Sequence, residues 1–260
     1  MDSEQYDIMS QAEESHWWYL GLRDAMRKCL DQGLRRLPQN PVVLDIGCGT
    51  GGNLRFLQGL LTPSYLAGFD VSERALAFAR GKCPQADVYL GDIRQPELHR
   101  PAFDLMISCD VLYVPGIDAS LPGLKILSAG LKPGGLWIWN LPAYEWLRSD
   151  HDRKVHTRER YTLGRVLRLM EELDLVPMQA SYRQCSAFPL VVAARLPSLL
   201  WPQRSTGTSD LRIPRPWLNR ALLHMLRYEN FLIARGTRFP WGTSVFVAAR
   251  KRPLSTSPFG

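Results

Sequence analysis

The densest group of residues able to do chemistry is Asp45-Ile46-Gly47-Cys48-Gly49-Thr50-Gly51-Gly52. It lies between an apolar run at 41–47 and a segment with helical spacing at Leu54, Leu57 and Leu61. Glycines at a strand-to-helix turn permit a tight bend. They also let a ligand reach backbone N–H groups at the helix N-terminus. Gly47, Gly49 and Gly52 satisfy GxGxxG as well, a dinucleotide fingerprint that is weak by itself. Asp45 argues against a dinucleotide. A carboxylate two positions before the first glycine repels a pyrophosphate and attracts a cationic amino group.

Two more acids extend the site. Asp70 ends an expected strand at 65–71, 19 residues after Gly51, where an acid accepts hydrogen bonds from ribose hydroxyls. Asp92, in Gly91-Asp92-Ile93, follows an expected strand at 87–90 and is placed to accept from an adenine amino group. Three carboxylates at successive strand ends, with one glycine loop, make one pocket at the carboxyl edge of a sheet. S-adenosylmethionine, zwitterionic and free of phosphate, meets its demands.

A second group follows a fifth expected strand. His151, Asp152 and His156 have spacing a metal could use, but no further ligand cluster accompanies them, so no metal is expected. They suit acid/base or orienting work better, histidine being the side chain that titrates near neutral pH. Arg160 and Tyr161 are placed to orient an anionic or hydroxylated acceptor; a salt bridge and a packed phenol are the plainer reading. Trp17, Trp18 and Tyr19 read as a helix stapled to the core by aromatics. They also read as a lid, with Tyr19 and Arg23 reaching a cofactor carboxylate.

The elements that must position these groups alternate. Residues 41–47, 65–71, 87–90, 103–113 and 136–140 read as strands, with helical segments between them. Ser72 is placed to cap the helix that follows it, and Thr162 another with a stripe at Leu163, Val166, Leu167, Met170 and Leu173. KPGG at 132–135 reads as a turn. Trp137 and Trp139 share one strand face and read as core. Such alternation predicts an α/β, Rossmann-like, doubly wound sheet. Residues 176–184 and 243–251 read as two later strands. The sixty residues between them hold prolines at 189, 197, 202, 214 and 216, then an amphipathic stretch, read as a helical insertion. We therefore expect one domain: a helical lid at 1–37, a cofactor core at 38–140, a substrate-side segment at 141–194, a cap at 195–240, and a last strand and tail at 241–260.

Composition narrows the class. With 260 residues, 45% apolar and 22% charged, the chain is too hydrophobic for disorder and long enough for a sizeable core. No segment reads as a spanning helix, and the acidic N-terminus lacks the pattern of a secretory signal. Five scattered cysteines without a CxxC point to reduced thiols in a cytoplasmic protein. Residues 195–260 carry 11 of the 32 Lys/Arg but 2 of the 25 Asp/Glu. That basic stretch could face anionic lipid, nucleic acid or a charged substrate, or simply be solvated. Leu218, Leu222, Met225 and Leu226, beside Arg220 and Arg227, read as the buried face of a cap helix, or as a peripheral membrane contact.

In order, DIGCGTG (45–51), FDVS (69–72), GDI (91–93), FDLMISCDVLY (103–113) and LKPGGLWIW (131–139) resemble the motifs of class I S-adenosylmethionine-dependent methyltransferases. The resemblance covers about residues 40–140, plus the antiparallel last strand of that fold. It implies that Asp45 and the loop of Gly47, Cys48, Gly49 and Gly51 hold the methionine part. It implies Asp70 on the ribose, Val71 beside the adenine, and Asp92 and Ile93 at the adenine edge. Cys109 and Asp110 would flank the methionine and the transferred methyl. HWWY with Arg23, S-x-H-D at 149–152, His156, Arg160-Tyr161-Thr162 and Pro-Trp-Gly-Thr-Ser at 240–244 resemble a bacterial subgroup often encoded near genes for glycan or lipid-linked assembly. Trp241 stands where that subgroup has Phe, and Glu159 where a second adjacent base is expected, which argues against a paired-arginine clamp.

The expected activity is methyl transfer to a small molecule, amphipathic or glycan- or lipid-linked. His151 or His156 would be catalytic, and Trp18, Tyr113, Trp146, Asp152, Arg160 and Tyr161 would line the acceptor pocket. No Asn-Pro-Pro-Tyr-like motif follows the fourth strand and no RNA-binding module is attached, so nucleic acid is not the expected acceptor. The alternatives are an RNA methyltransferase using the basic segment, or a non-catalytic S-adenosylmethionine-binding partner. Oligomeric state is not legible in the sequence.

Overall fold

The computed structural model describes residues 3–33, 37–100, 102–114, 116–148, 152, 156–193 and 214–253. His151 and the first part of the expected cap, 195–213, lie outside them.

Seven strands form one sheet in the order β3-β2-β1-β4-β5-β7-β6. They are β1 (Val42–Ile46), β2 (Tyr65–Asp70), β3 (Asp87–Leu90), β4 (Phe103–Cys109), β5 (Leu131–Pro142), β6 (Leu175–Arg183) and β7 (Ser244–Lys251). The first five are mutually parallel. β7 runs antiparallel between β5 and β6, as the family resemblance implies.

The central strands are apolar along most of their length because helices cover both faces. On one face lie α2 (Trp17–Gly33), α3 (Gly52–Leu61) and α4 (Glu73–Lys82). Leu22, Met26 and Leu30, Leu54 and Leu57, and Leu76 and Ala79 pack there on Val43, Leu105, Ile107 and Ile138. On the other lie α5 (Ile117–Gly130) and α6 (Leu163–Glu172), whose Leu124, Leu127, Val166 and Met170 meet Leu44, Met106, Trp137 and Trp139. The two tryptophans are fully buried, edge to face at 5.2 Å. Ser72 and Thr162 cap α4 and α6 as expected, accepting from Ala75 N and Arg165 N. α1 (Ser3–Ala12) precedes α2, and α7 (Pro216–Ala234) packs along α2 and β6. Among the described residues no helix is long and apolar enough to cross a membrane.

Two strand boundaries differ from the sequence reading by more than two residues. The fourth strand stops at Cys109, not at residue 113, because Asp110 turns the chain out with φ 57°. KPGG is part of β5 and not a turn before it. Leu131 pairs with Phe103, the ladder shifts between Phe103 and Leu105, and Gly134 absorbs the irregularity at φ 77°.

Candidate active site

The glycine loop leaves β1 with Gly47, Gly49 and Gly51 at φ 68°, 53° and 85°. A side chain at Gly51 would place its Cβ 2.7 Å from the Ala79 Cα, so the loop lies directly on α4. Cys48 N–H donates to the Phe69 carbonyl at 2.9 Å. The Asp70 carboxylate accepts from Gly49 N–H and Ser72 N–H, both at 3.0 Å. Asp70 therefore fastens the loop to the end of β2. Its oxygens keep further lone pairs for a ligand. Burial raises its pKa, and the amide hydrogen bonds oppose that rise.

Asp45 is 1% exposed and its Oδ2 has no partner among the described residues. Burial, then the charges of Asp70 and Glu13, push it up to about 8, with Arg23 opposing. Arg23 comes from α2. Its Nη1 donates to the Glu13 carbonyl at 2.9 Å, while Nε and Nη2 lack hydrogen-bond partners. The Thr50 hydroxyl beside them is also buried and unpartnered. An orphaned carboxylate and a half-used guanidinium flank one glycine loop. That donor and acceptor set fits an amino acid's ammonium and carboxylate, as in S-adenosylmethionine. It does not fit a pyrophosphate.

The α1–α2 arm lies over this loop. Asp7 pairs with Arg74, Glu13 with Lys82, and Glu14 with Arg55 at 3.5 Å. A Cβ at Gly49 would meet Met9 Cε at 3.0 Å, and one at Gly52 would strike Arg23 and Glu13. At the outer end of the sheet edge, Val71 is exposed and Ile93 buried. Asp92 is ion-paired to Arg94, Nε to Oδ2 at 2.8 Å. That pairing lowers the Asp92 pKa.

The acceptor side begins at Asp110. Its N–H donates to the Asn140 carbonyl at 2.8 Å and its Oδ2 accepts from Asn140 Nδ2 at 2.9 Å. Burial pushes Asp110 up to about 7, opposed by the Asn140 bond and by Arg183 and Arg160. Cys109 lies beside it, its thiol pushed up by burial and by Asp110. Tyr19 stacks edge to face on Trp18 at 4.9 Å. Burial, and the charges of Glu13 and Asp110, raise the Tyr19 phenol.

Residues 156–161 run beside the end of β5, Tyr161 bridging to Ala143. Tyr113 is buried and its carbonyl accepts from Arg158 and Glu159 N–H. Tyr161 is fully buried and donates to the Leu112 carbonyl at 3.0 Å, so its hydroxyl is a structural post. Asp152 and Arg160 form a buried ion pair at 2.7 Å, and Arg160 Nε donates to the Ala143 and Tyr144 carbonyls. Trp146 is half exposed beside Phe188, and His156 is exposed on the rim at φ 57°. Among the described residues no group of three His, Cys, Asp or Glu is placed to hold a metal.

Sequence reasoning missed Asn140, Arg183, Asn230, Glu13 and Glu229. Asn140 and Arg183 sit at the C-terminal ends of β5 and β6, on the faces carrying Ile138 and Ser181. A polar residue closing a strand was the available signal. Its burial depends on α7, whose packing no local pattern announces.

Residues 43–135 match the family model described as a methyltransferase domain. Among curated proteins, the trans-aconitate 2-methyltransferase of Variovorax paradoxus is 35% identical over 41% of this chain and 40% of its own length. The dTDP-3-amino-3,4,6-trideoxy-alpha-D-glucopyranose N,N-dimethyltransferase of Streptomyces venezuelae is 28% identical over 56% and 62%. The chain thus spans two fifths to three fifths of these relatives. Among solved structures, an S-adenosylmethionine-dependent methyltransferase from Mesorhizobium loti superposes with a TM-score of 0.54 at 18% identity, covering 86% of this chain and 97% of that one.

Proposed function

We propose that this chain, which by residues 43–135 and by its fold is a class I S-adenosylmethionine-dependent methyltransferase, moves a methyl group to a small-molecule acceptor. The observation that carries the reading is the pair of groups around the glycine loop: Asp45 Oδ2, which has no partner among the described residues, and the Arg23 guanidinium, whose Nε and Nη2 make no hydrogen bond although Nη2 stands 3.9 Å from Glu13 Oε2. Asp45 would take the ammonium of the cofactor and Arg23 its carboxylate. Asp70 would take the ribose, and Val71, Asp92 and Ile93 would border the adenine. Bound there, the cofactor supplies an electrophilic methyl group.

The protein's part is to bind, orient and exclude water. The α1–α2 arm closes the methionine end. Trp18, Tyr113 and Trp146 would wall the acceptor beyond Asp110. The buried Asp152–Arg160 pair and Tyr161 would hold that wall. His156 would orient the acceptor from the rim; His151, the other candidate, lies outside the described residues. The relatives named for aconitate and for an amino sugar nucleotide support a small polar acceptor.

Calorimetry with S-adenosylmethionine, S-adenosylhomocysteine and NAD tests the cofactor. Both sulfur ligands are expected to bind and NAD is not. Tight NAD binding without a response to either sulfur ligand would overturn the reading. Labelled cofactor added with fractionated cell extract tests the acceptor. Label is expected in the small-molecule fraction; label in RNA alone would reject that class.

A further inference from the structure

Behind Asp110 runs a chain of buried polar side chains that the cofactor site does not need. Asn140 donates to Asp110 and accepts at Oδ1 from Arg183 Nη1 at 3.0 Å. Arg183 Nε donates to Asn230 Oδ1 at 3.3 Å. Asn230 Nδ2 reaches the Gly21 carbonyl and Asp24 Oδ2, both at 2.8 Å. Arg183 is fully buried over the Phe246 ring. Among the described residues it has no carboxylate within ion-pair distance, and its Nη2 has no partner. Glu229, the largest opposing charge, spends its oxygens on Gln184 N–H, Ser186 N–H and the Ser186 hydroxyl.

A buried cation held by two amide oxygens is costly to keep. Its position makes sense of that cost. One side-chain amide separates it from Asp110, and Asn140 is so oriented that its oxygen faces the cation and its N–H faces the carboxylate. The other Asp110 oxygen has no hydrogen-bond partner among the described residues, and the residue is half-buried, at the edge where an acceptor would stand. The left-handed backbone at Asp110 fixes that direction.

Resting on the methyltransferase reading, we propose that Asp110 is the group that receives the acceptor's proton, and that Arg183, acting through Asn140, is its positioning residue. As the acceptor's lone pair bonds to the methyl carbon, the carbon–sulfur pair stays on sulfur and the acceptor's proton passes to Asp110. It leaves to solvent afterwards. The groups facing Asp110 are Tyr19 of α2, Cys109 at the end of β4, Tyr113 in the turn after it, Asn140 of β5, Arg183 of β6 and Arg160 of the 156–161 segment. Burial against two cations and one amide bond leaves a carboxylate that titrates near neutrality, where a general base is most effective.

The test counts protons and needs no acceptor. S-adenosylmethionine and S-adenosylhomocysteine both carry the ammonium that would ionise Asp45; only the first carries the sulfonium charge. Calorimetry near pH 7, in buffers of different ionisation enthalpy, should show about half a proton more released by S-adenosylmethionine. That excess should vanish in D110N. In R183M the pH at which it is largest should rise, and R183K should restore it. Carboxyl-carbon NMR of the unmodified protein should place the Asp110 midpoint near neutral pH, a measurement that stands even if R183M does not fold. Equal proton release by the two ligands, an excess that survives D110N, or a midpoint in the ordinary carboxylate range would overturn the proposal. Failure of both ligands to bind would overturn the cofactor reading and this inference with it.

Discussion

The two halves of the sheet edge are built differently. On the cofactor side, over β1, β2 and β3, the key contacts are backbone amides meeting a carboxylate from the next strand, as Gly49 does with Asp70 over 21 residues. On the acceptor side, over β4, β5 and β6, side chains bond to side chains. Asn140 reaches Asp110 over 30 residues, Arg183 reaches Asn140 over 43, and Asn230 reaches Asp24 over 206. A glycine loop can hold a constant ligand with main-chain groups. Selecting one acceptor requires side chains, and long-range packing must bring them together.

Both halves hold a carboxylate raised by burial, and pH should separate them. Asp45 is pushed up to about 8 and Asp110 to about 7, whereas both ionise near 4 in the unfolded chain. Between those values the folded state binds protons that the unfolded state does not. The contribution of these two groups to stability should therefore be greatest at about pH 4 and below and fall as pH rises, by up to about 1.4 kcal/mol per pH unit for each group. The fall should end near pH 8. Bound S-adenosylhomocysteine should abolish the Asp45 part and leave a fall that ends near pH 7. Thermal midpoints from pH 5 to 8.5, with and without the ligand, give both curves. Identical slopes would mean that the ammonium does not sit on Asp45.

Removing Asp152 should damage the acceptor half alone. D152A leaves the Arg160 guanidinium buried without its carboxylate, a loss of about 3–5 kcal/mol for a broken buried pair. Cofactor affinity should change less than twofold. Thermal unfolding and calorimetry on the same variant decide it. A collapse of cofactor binding in a folded D152A would show that the two halves are not separate.

The same difference explains what the sequence made legible. Asp45, the glycines, Asp70 and Asp92 lie within 48 consecutive residues, each at or just past the end of a strand. Strand-ending acids and glycines carry their chemistry in order and spacing. The caps at Ser72 and Thr162 were legible for the same reason, since a cap acts three residues away. Arg183 falls at the polar position of an alternating strand, which local pattern assigns to solvent. It is buried because α7 lies over that face. Sequence leaves Tyr161 open between an acceptor-orienting phenol and a packed one, because its partner is distant in the chain. Its hydroxyl is spent on Leu112, 49 residues earlier.

Within the cofactor half, Asp70 should matter more to binding than any other strand-end acid except Asp45. D70A would remove the proposed charge-assisted bonds to ribose and also frees Gly49 N–H and Ser72 N–H. Affinity for S-adenosylhomocysteine should fall by about 1.5–3 kcal/mol, roughly 10- to 150-fold. A folded D70A with unchanged affinity would place the ribose elsewhere.

Asp92 gives the smallest effect and the finest test. It occupies the corresponding place after β3, but its carboxylate is already engaged by Arg94 in a two-nitrogen grip, with the arginine largely exposed. Accepting from an adenine amino group would exchange one donor for another at a wet site, and exposed ion pairs are worth about 0–1 kcal/mol. D92A should therefore weaken cofactor binding less than about fivefold, with the adenine edge held mainly by packing against Ile93. The variant R94A sharpens the point. Freed of its partner, Asp92 can turn to the adenine at no exchange cost, so affinity should hold or rise slightly. A tenfold loss in D92A, together with a gain in R94A, would show that the Asp92 carboxylate binds the adenine directly. The third strand end would then work as the second does, and the cofactor half would rest on three acids, not two.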